Sequence, residues 1–153
     1  MVDTLFAFEA DFAGTLHCIP MVVRFKLDRC GVKLKLSQWQ AFSAEQKGSL
    51  IRLPCQSDSE IAAYRTTLST WISENQSQVS LFEPETHPLW ADASSIPAEV
   101  AGRIEELGGS LAMADWQALS ELQRFALIKL ARSQHEHRNF LPALLEFNLP
   151  IEG

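Results

Sequence analysis

The stretch that decides the fold reads WQAFSAEQ at residues 39–46, because it returns as WQALSELQ at residues 116–123. In both copies a serine is followed three positions later by a glutamine, which is the pattern of a capping box. The serine hydroxyl accepts from a backbone amide in the first helical turn, and the glutamine side chain accepts from the serine amide. Each copy therefore predicts a helix that begins just after Ser43 or Ser120.

The repeat extends well beyond these two segments. At an offset of 77 residues, 13 of the 35 positions from 19 to 53 are identical to their counterparts from 96 to 130, without a gap. Such self-similarity is typical of a duplicated structural unit. We therefore expect two diverged helical repeats, the first at about residues 19–75 and the second at about residues 96–148.

Proline and glycine mark the ends of the first helix in each repeat. Pro20 and Pro97 suit the first turn of a helix, where an amide proton would have no acceptor. Gly31 and Gly108 suit the position just past a helix end, where the backbone becomes left-handed. The helices predicted from these signals are 20–30 and 97–107.

Tryptophan and a longer closing helix complete each repeat. Trp39 and Trp116 precede the capping boxes, and each is expected to fill the core from a single-turn helix. Apolar residues at helical spacing predict closing helices at residues 58–74 and 135–147. Pro142 lies inside the second, so it either kinks that helix or marks its true first turn.

Residues 76–95 join the repeats and contain two prolines among paired apolar residues. We expect this segment to pack as a strap over the two halves, and residues 5–8 to lie extended against the core. No convincing strand pattern occurs. The predicted fold is all-α: a single domain over residues 1–153, a compact helical bundle built from two tandem repeats joined by the strap.

Composition excludes several classes of protein. Hydrophobic residues make up 46% and charged residues 21%, as in ordinary globular proteins. No apolar run approaches the ~20 residues that span a bilayer, and the N-terminus lacks the basic start of a secretory signal. The expected location is the cytoplasm. A net charge of −6 makes nucleic acid an unsuitable partner.

The charge is unevenly distributed along the chain. Residues 1–76 hold eight acids and eight bases, whereas residues 77–153 hold eleven acids and five bases. Five cations crowd into residues 24–35 with one opposing acid. This basic strip consists of Arg24, Lys26, Arg29, Lys33 and Lys35. It is either an ordinary solvated face or a docking site for an acidic partner.

Sulfur and imidazole groups in the first half offer a second candidate site. His17, Cys18, Cys30 and Cys55 are possible metal ligands or redox groups, although the tight spacing of structural zinc sites is missing. Cys55 precedes the predicted start of a helix, where the positive end of the dipole could lower its pKa and favour a redox role. The simpler expectation is three free thiols packed as small hydrophobes.

No sequence motif for catalysis was found: the chain lacks a nucleophile elbow, a P-loop and a dinucleotide fingerprint. We therefore expect a protein that is not an enzyme and carries no cofactor.

Two stretches carry a family resemblance, FAFEADF at residues 6–12 and LHCIPMVVRFKLDRCGVKL at residues 16–34. Together with Trp39 and residues 50–55, they resemble the nitrate-reductase-associated proteins, whose genes typically stand beside those for nitrate assimilation and molybdenum-cofactor synthesis. The resemblance implies an accessory role near a molybdenum nitrate reductase and brings no catalytic residues with it. Because the residues that carry it lie in the first half of the chain, the resemblance implies that this half contains the functional surface.

Three hypotheses follow. In the preferred one, the basic strip docks on nitrate reductase or on a molybdenum-cofactor insertion protein, and the protein acts as an assembly or regulatory factor. In the second, the histidine and cysteines handle a metal, an electron or a cofactor. In the third, the protein senses a small molecule such as nitrate or a pterin in a cleft between the repeats. The sequence does not fix the oligomeric state.

Overall fold

Helices supply the regular secondary structure of the described residues. The computed structural model describes residues 5–9, 16–133 and 137–150, and within these ranges the only β pairing is one isolated bridge. The all-α prediction is confirmed. In chain order the α-helices there are α1 (Met21–Cys30), α2 (Leu36–Gln40), α3 (Ala44–Arg52), α4 (Asp58–Glu74), α5 (Ala98–Glu106), α6 (Met113–Ala118), α7 (Glu121–Arg132) and α8 (Phe140–Glu146).

Two compact units divide the chain, unit 1 from Met1 to Pro84 and unit 2 from Glu85 to Gly153. Their boundary falls inside the segment predicted as a strap. Unit 1 contains α1 to α4 and unit 2 contains α5 to α8. In each unit a first helix, a short tryptophan helix, a serine-capped helix and a closing helix follow one another. The duplication and the single-domain organisation stay predictions.

The serine-capped helices α3 and α7 begin as the sequence predicts. The amide of Gln46 donates to Ser43 Oγ over 3.1 Å, and the amide of Ser43 donates to Gln46 Oε1 over 2.9 Å. Ser120 and Gln123 repeat both bonds at 2.9 and 3.1 Å. Local sequence is sufficient here because both partners of each bond lie within one helical turn.

The first helices α1 and α5 begin one residue later than predicted, because Pro20 and Pro97 are cap residues with extended backbone. Gly31 and Gly108 follow the two helices with φ of 75° and 83°, the predicted left-handed conformation. In α5 the final helical residue is Glu106, and Leu107 is already the cap.

The closing helices differ between the units. α4 spans Asp58–Glu74, which is the predicted range. α8 is shorter than predicted: it spans Phe140–Glu146 and follows a 3-10 turn at His137–Asn139. Residues 134–136, at the predicted start, lie outside the described residues. Pro142 occupies the first turn of α8, where its missing amide proton removes no helical hydrogen bond.

Trp39 and Trp116 are fully buried, as predicted, each with 0% exposure. The expectation for the N-terminus is wrong. Ala7–Glu9 forms a 3-10 turn, and the rings of Phe6 and Phe8 stack with centroids 5.2 Å apart. The turn places Phe6 and Glu9 one above the other, and the amide of Phe6 donates to Glu9 Oε1 over 3.2 Å.

The first part of the strap is fixed to unit 1. The amide of Phe82 donates to Gly31 O, and the amide of Lys33 donates to Ser80 O, both over 2.9 Å. These two bonds make the antiparallel bridge between Val32 and Leu81. The side chain of Gln38 also donates to two strap atoms, Ser77 Oγ at 2.9 Å and Gln78 O at 3.0 Å.

Gly31 lies directly under the strap. A β-carbon there would meet the carbonyl oxygen of Phe82 at impossibly close range and Pro84 at 3.2 Å, whereas a β-carbon at Gly108 would meet nothing within 4 Å. The same left-handed conformation is therefore crowded in unit 1 and open in unit 2.

Gly31→Ala and Gly108→Ala make a matched pair for urea denaturation. Both variants put a side chain into left-handed backbone, which costs about 1–2 kcal/mol. Gly31→Ala must in addition displace the strap, and overpacking costs about 1–3 kcal/mol more. We expect the larger loss of unfolding free energy for Gly31→Ala. Equal losses would show that the strap does not press on Gly31.

Candidate functional site

The basic strip begins in α1 and ends just before α2. Arg24, Lys26 and Arg29 lie on α1, whereas Lys33 and Lys35 lie on the connection that follows Gly31. The helical cations and the loop cations have different surroundings.

Lys26 is buried, with 2% exposure. Its Nζ donates to Ile51 O over 2.7 Å and to Leu53 O over 2.6 Å, at the carbonyl end of α3. Tyr64 adds a third bond there, from its hydroxyl to Leu50 O over 2.8 Å. The last carbonyls of a helix lack intrahelical donors and form the negative end of its dipole. Lys26 therefore closes α3 inside the unit.

The other two cations of α1 also bond to backbone within unit 1. Arg29 Nε donates to Cys55 O over 2.7 Å, and its Nη2 donates to Gln56 O over 3.0 Å. Arg24 Nε donates to Ile19 O over 3.1 Å, just before the start of its own helix. Three of the five strip cations thus hold loops and helix ends of unit 1.

Unit 2 shows why a positive charge occurs both at Lys26 and at Arg103, 77 residues later. Arg103, the counterpart of Lys26 at the offset of 77, donates from Nε to Ala131 O over 3.0 Å. Ala131 is the penultimate residue of α7, so a cation on the first helix again meets the carbonyl end of the serine-capped helix. Arg103 also pairs with Glu106 over 3.1 Å. The matched sign at this position is explained by packing.

Lys33 and Lys35 are exposed, unlike Lys26. Three large apolar side chains that follow in the chain or lie across the bridge are also exposed: Leu36 by 49%, Leu81 by 62% and Phe82 by 42%. The bridge between Val32 and Leu81 brings these two parts of unit 1 together. We call these residues the strap surface: Lys33, Lys35, Leu36, Leu81 and Phe82. It joins cationic and apolar groups on a backbone fixed to α1 and α2.

The thiols of Cys30 and Cys55 are buried at the carbonyl end of α1. Their sulfurs donate to the carbonyls of Leu27 and Lys26, each over 3.7 Å. Burial raises the pKa of Cys30 to about 11 and that of Cys55 to about 12. The expected lowering of the Cys55 pKa is wrong, because desolvation outweighs the attraction of nearby Arg29 and Lys26.

His17 and Cys18 are more exposed to solvent than the two buried cysteines. His17 is exposed and Cys18 is half-buried. No group of three or more histidine, cysteine or acidic side chains is placed to hold a metal within residues 5–9, 16–133 and 137–150. In the same part of the chain, no helix is both long and apolar enough to cross a bilayer.

Glu9 is a buried residue that sequence reasoning missed. Its Oε2 accepts from the amide of Met21 over 3.1 Å, so a carboxylate stands at the positive end of α1. The sequence signal is weak, because Glu9 lies twelve positions before its donor, Met21, and shares no periodic pattern with it. The one sequence feature that marks Glu9 is its place in the stretch at residues 6–12, which carries the family resemblance.

One comparison with known proteins is informative. The family described as conserved nitrate reductase-associated protein matches residues 5–147 of this chain, which is nearly its whole length. No curated protein and no solved structure matches the chain significantly.

Thiol reactivity tests the surroundings of the cysteines. At pH 8 a disulfide reagent should modify Cys18 rapidly in the native protein and Cys30 and Cys55 only after denaturation, because buried thiols with a raised pKa stay protonated. The protonated thiols favour the folded state below about pH 9, the ordinary value, and this contribution is lost as pH rises toward 11. A Cys18→Ser variant should show no fast phase. Three equally fast thiols would contradict the burial.

Proposed function

The chain belongs to the family of conserved nitrate reductase-associated proteins, and from this membership we propose that it is a non-catalytic accessory factor of a molybdenum-dependent nitrate reductase. In this proposal it acts in the cytoplasm by binding another protein. The partner is the reductase itself or the protein that inserts its molybdenum cofactor. The family description names an association and no reaction of its own.

The strap surface is the observation that supports a protein partner. Protein interfaces combine an apolar centre with a polar, charged rim. Here Leu36, Leu81 and Phe82 supply exposed apolar area, and Lys33 and Lys35 supply positive charge on the segment that pairs with the strap. The chain as a whole is acidic, with a net charge of −6. A locally cationic surface on an acidic protein selects an acidic patch on its partner.

The hydrogen bonds within unit 1 reduce the number of basic-strip residues that can serve as the docking site. Lys26 and Arg29 donate to carbonyls of their own unit, so their substitution would change stability together with binding. Lys33 and Lys35 are the strip residues whose side chains extend into solvent. The proposal therefore assigns the electrostatic contact to these two lysines.

Charge reversal at Lys33 tests the proposal. Lys33→Glu should slow association with immobilised nitrate reductase, or with the insertion protein, several-fold at low salt, because rim charges act mainly on the association rate. High salt should reduce the difference. The readout is the association rate measured by surface plasmon resonance.

Arg52→Glu is the matched control, since it makes the same change in net charge at an exposed position outside the strap surface. It should leave the association rate within about twofold of wild type. Equal slowing by the two variants would mean that only net charge matters. Failure of the wild-type protein to bind either partner at low salt would contradict the proposed function.

A further inference from the structure

The strap has one open backbone edge, centred on Leu81. In the antiparallel bridge, Ser80 O and the amide of Phe82 face the segment at residues 31–33. Backbone groups alternate in direction along such a pair, so the amide and carbonyl of Leu81 point the other way. Within residues 16–133 the amide of Leu81 has no backbone acceptor, and its side chain is 62% exposed.

Four hydrogen bonds hold this edge to the rest of unit 1. The bridge to residues 31–33 and the two bonds from Gln38 fix residues 77–82 in place. A backbone edge that is already held in place binds an extended segment at a lower entropic cost. Unpaired, exposed edges are the sites where extended peptides add to a sheet.

The charges along the edge have a definite order. Lys33, which is exposed, lies opposite Ser80 in the bridge register, on the N-terminal side of Leu81. The N-terminal end of the edge is therefore positive. Glu83, which is exposed, follows Phe82 at the other end. An extended partner must match a positive end, an apolar middle and a negative end in that order.

We propose that the strap surface captures an extended peptide segment of the partner protein, which adds antiparallel to Leu81 through backbone hydrogen bonds. This inference rests on the proposed function and names the chemistry of its contact. An antiparallel segment runs from the Glu83 end to the Lys33 end. The segment therefore carries basic residues first, alternating apolar residues next and acidic residues last.

A second copy of this chain is a poorer occupant of the same edge. Two copies would each bring a net charge of −6, and this mutual repulsion opposes association. A segment whose charges run in the matching order is instead attracted to the edge.

Peptides of equal composition and opposite charge order test the inference. The first probe is a fluorescent peptide of alternating valine and threonine with arginines at its N-terminus and aspartates at its C-terminus; the second reverses the two charged ends. Fluorescence anisotropy with the full chain should show at least about tenfold tighter binding of the first, because every charge of the second meets its like. Equal binding, or no binding of the first, would overturn the inference.

Leu81→Pro removes the outward amide and should weaken binding of the first peptide at least about tenfold. Its unfolding free energy provides the check on folding. Leu81→Ser keeps the amide and loses the apolar side chain, so it should weaken binding less than the proline variant. If both variants fold and bind the peptide as wild type does, the edge is not the site.

The same variants separate this inference from the proposed function. If the reductase or insertion protein binds wild type and Leu81→Pro equally, the strand-addition inference fails while the accessory role stands. If it binds neither, the accessory role fails. Sedimentation that detects a wild-type dimer, lost in Leu81→Pro, would assign the edge to a second copy and overturn the peptide proposal.

Discussion

The constraint on which unit 1 depends is the carbonyl end of α3. A helix of nine residues leaves its final carbonyls without intrahelical donors, and burying them unpaired costs about 1–3 kcal/mol each. Lys26 and Tyr64 supply donors from two other helices. These bonds join α1, α3 and α4 at one point. Arg103 makes the related bond at the end of α7 in unit 2.

This arrangement changes the meaning of the basic strip. The run of cations suggests a docking site, yet Lys26 is only 2% exposed and donates its hydrogen bonds to carbonyls of its own unit. What extends into solvent is the part after Gly31, where the chain leaves α1 and pairs with the strap. The glycine allows both the turn and the close approach of Phe82, and so it positions the strap surface. The cations that bond within unit 1 and the cations exposed to solvent are separated by one helix end.

Much of the fold could be predicted because its signals are local. The serine caps of α3 and α7, the bounds of α4 and the burial of Trp39 and Trp116 all follow from residues within a turn or a face. The roles of Lys26 and Glu9 could not be predicted, since their acceptors and donors lie 25 and 12 positions away. For Cys55 the expected packing as a small hydrophobe agrees with its burial, which raises its pKa and so contradicts the alternative of a lowered one. The exposure of Leu81 could not be predicted either, because it depends on how the strap pairs with residues 31–33.

Replacement of Lys26 by methionine, followed by urea denaturation, tests this account most directly. Lys26→Met preserves the length of the side chain and leaves Ile51 O and Leu53 O without their donor. The expected loss of unfolding free energy is about 2–4 kcal/mol. The same change at exposed Lys33 should stay within about 0.5 kcal/mol of wild type. Equal, small losses at both positions would contradict the structural role of Lys26 and return it to the set of surface cations.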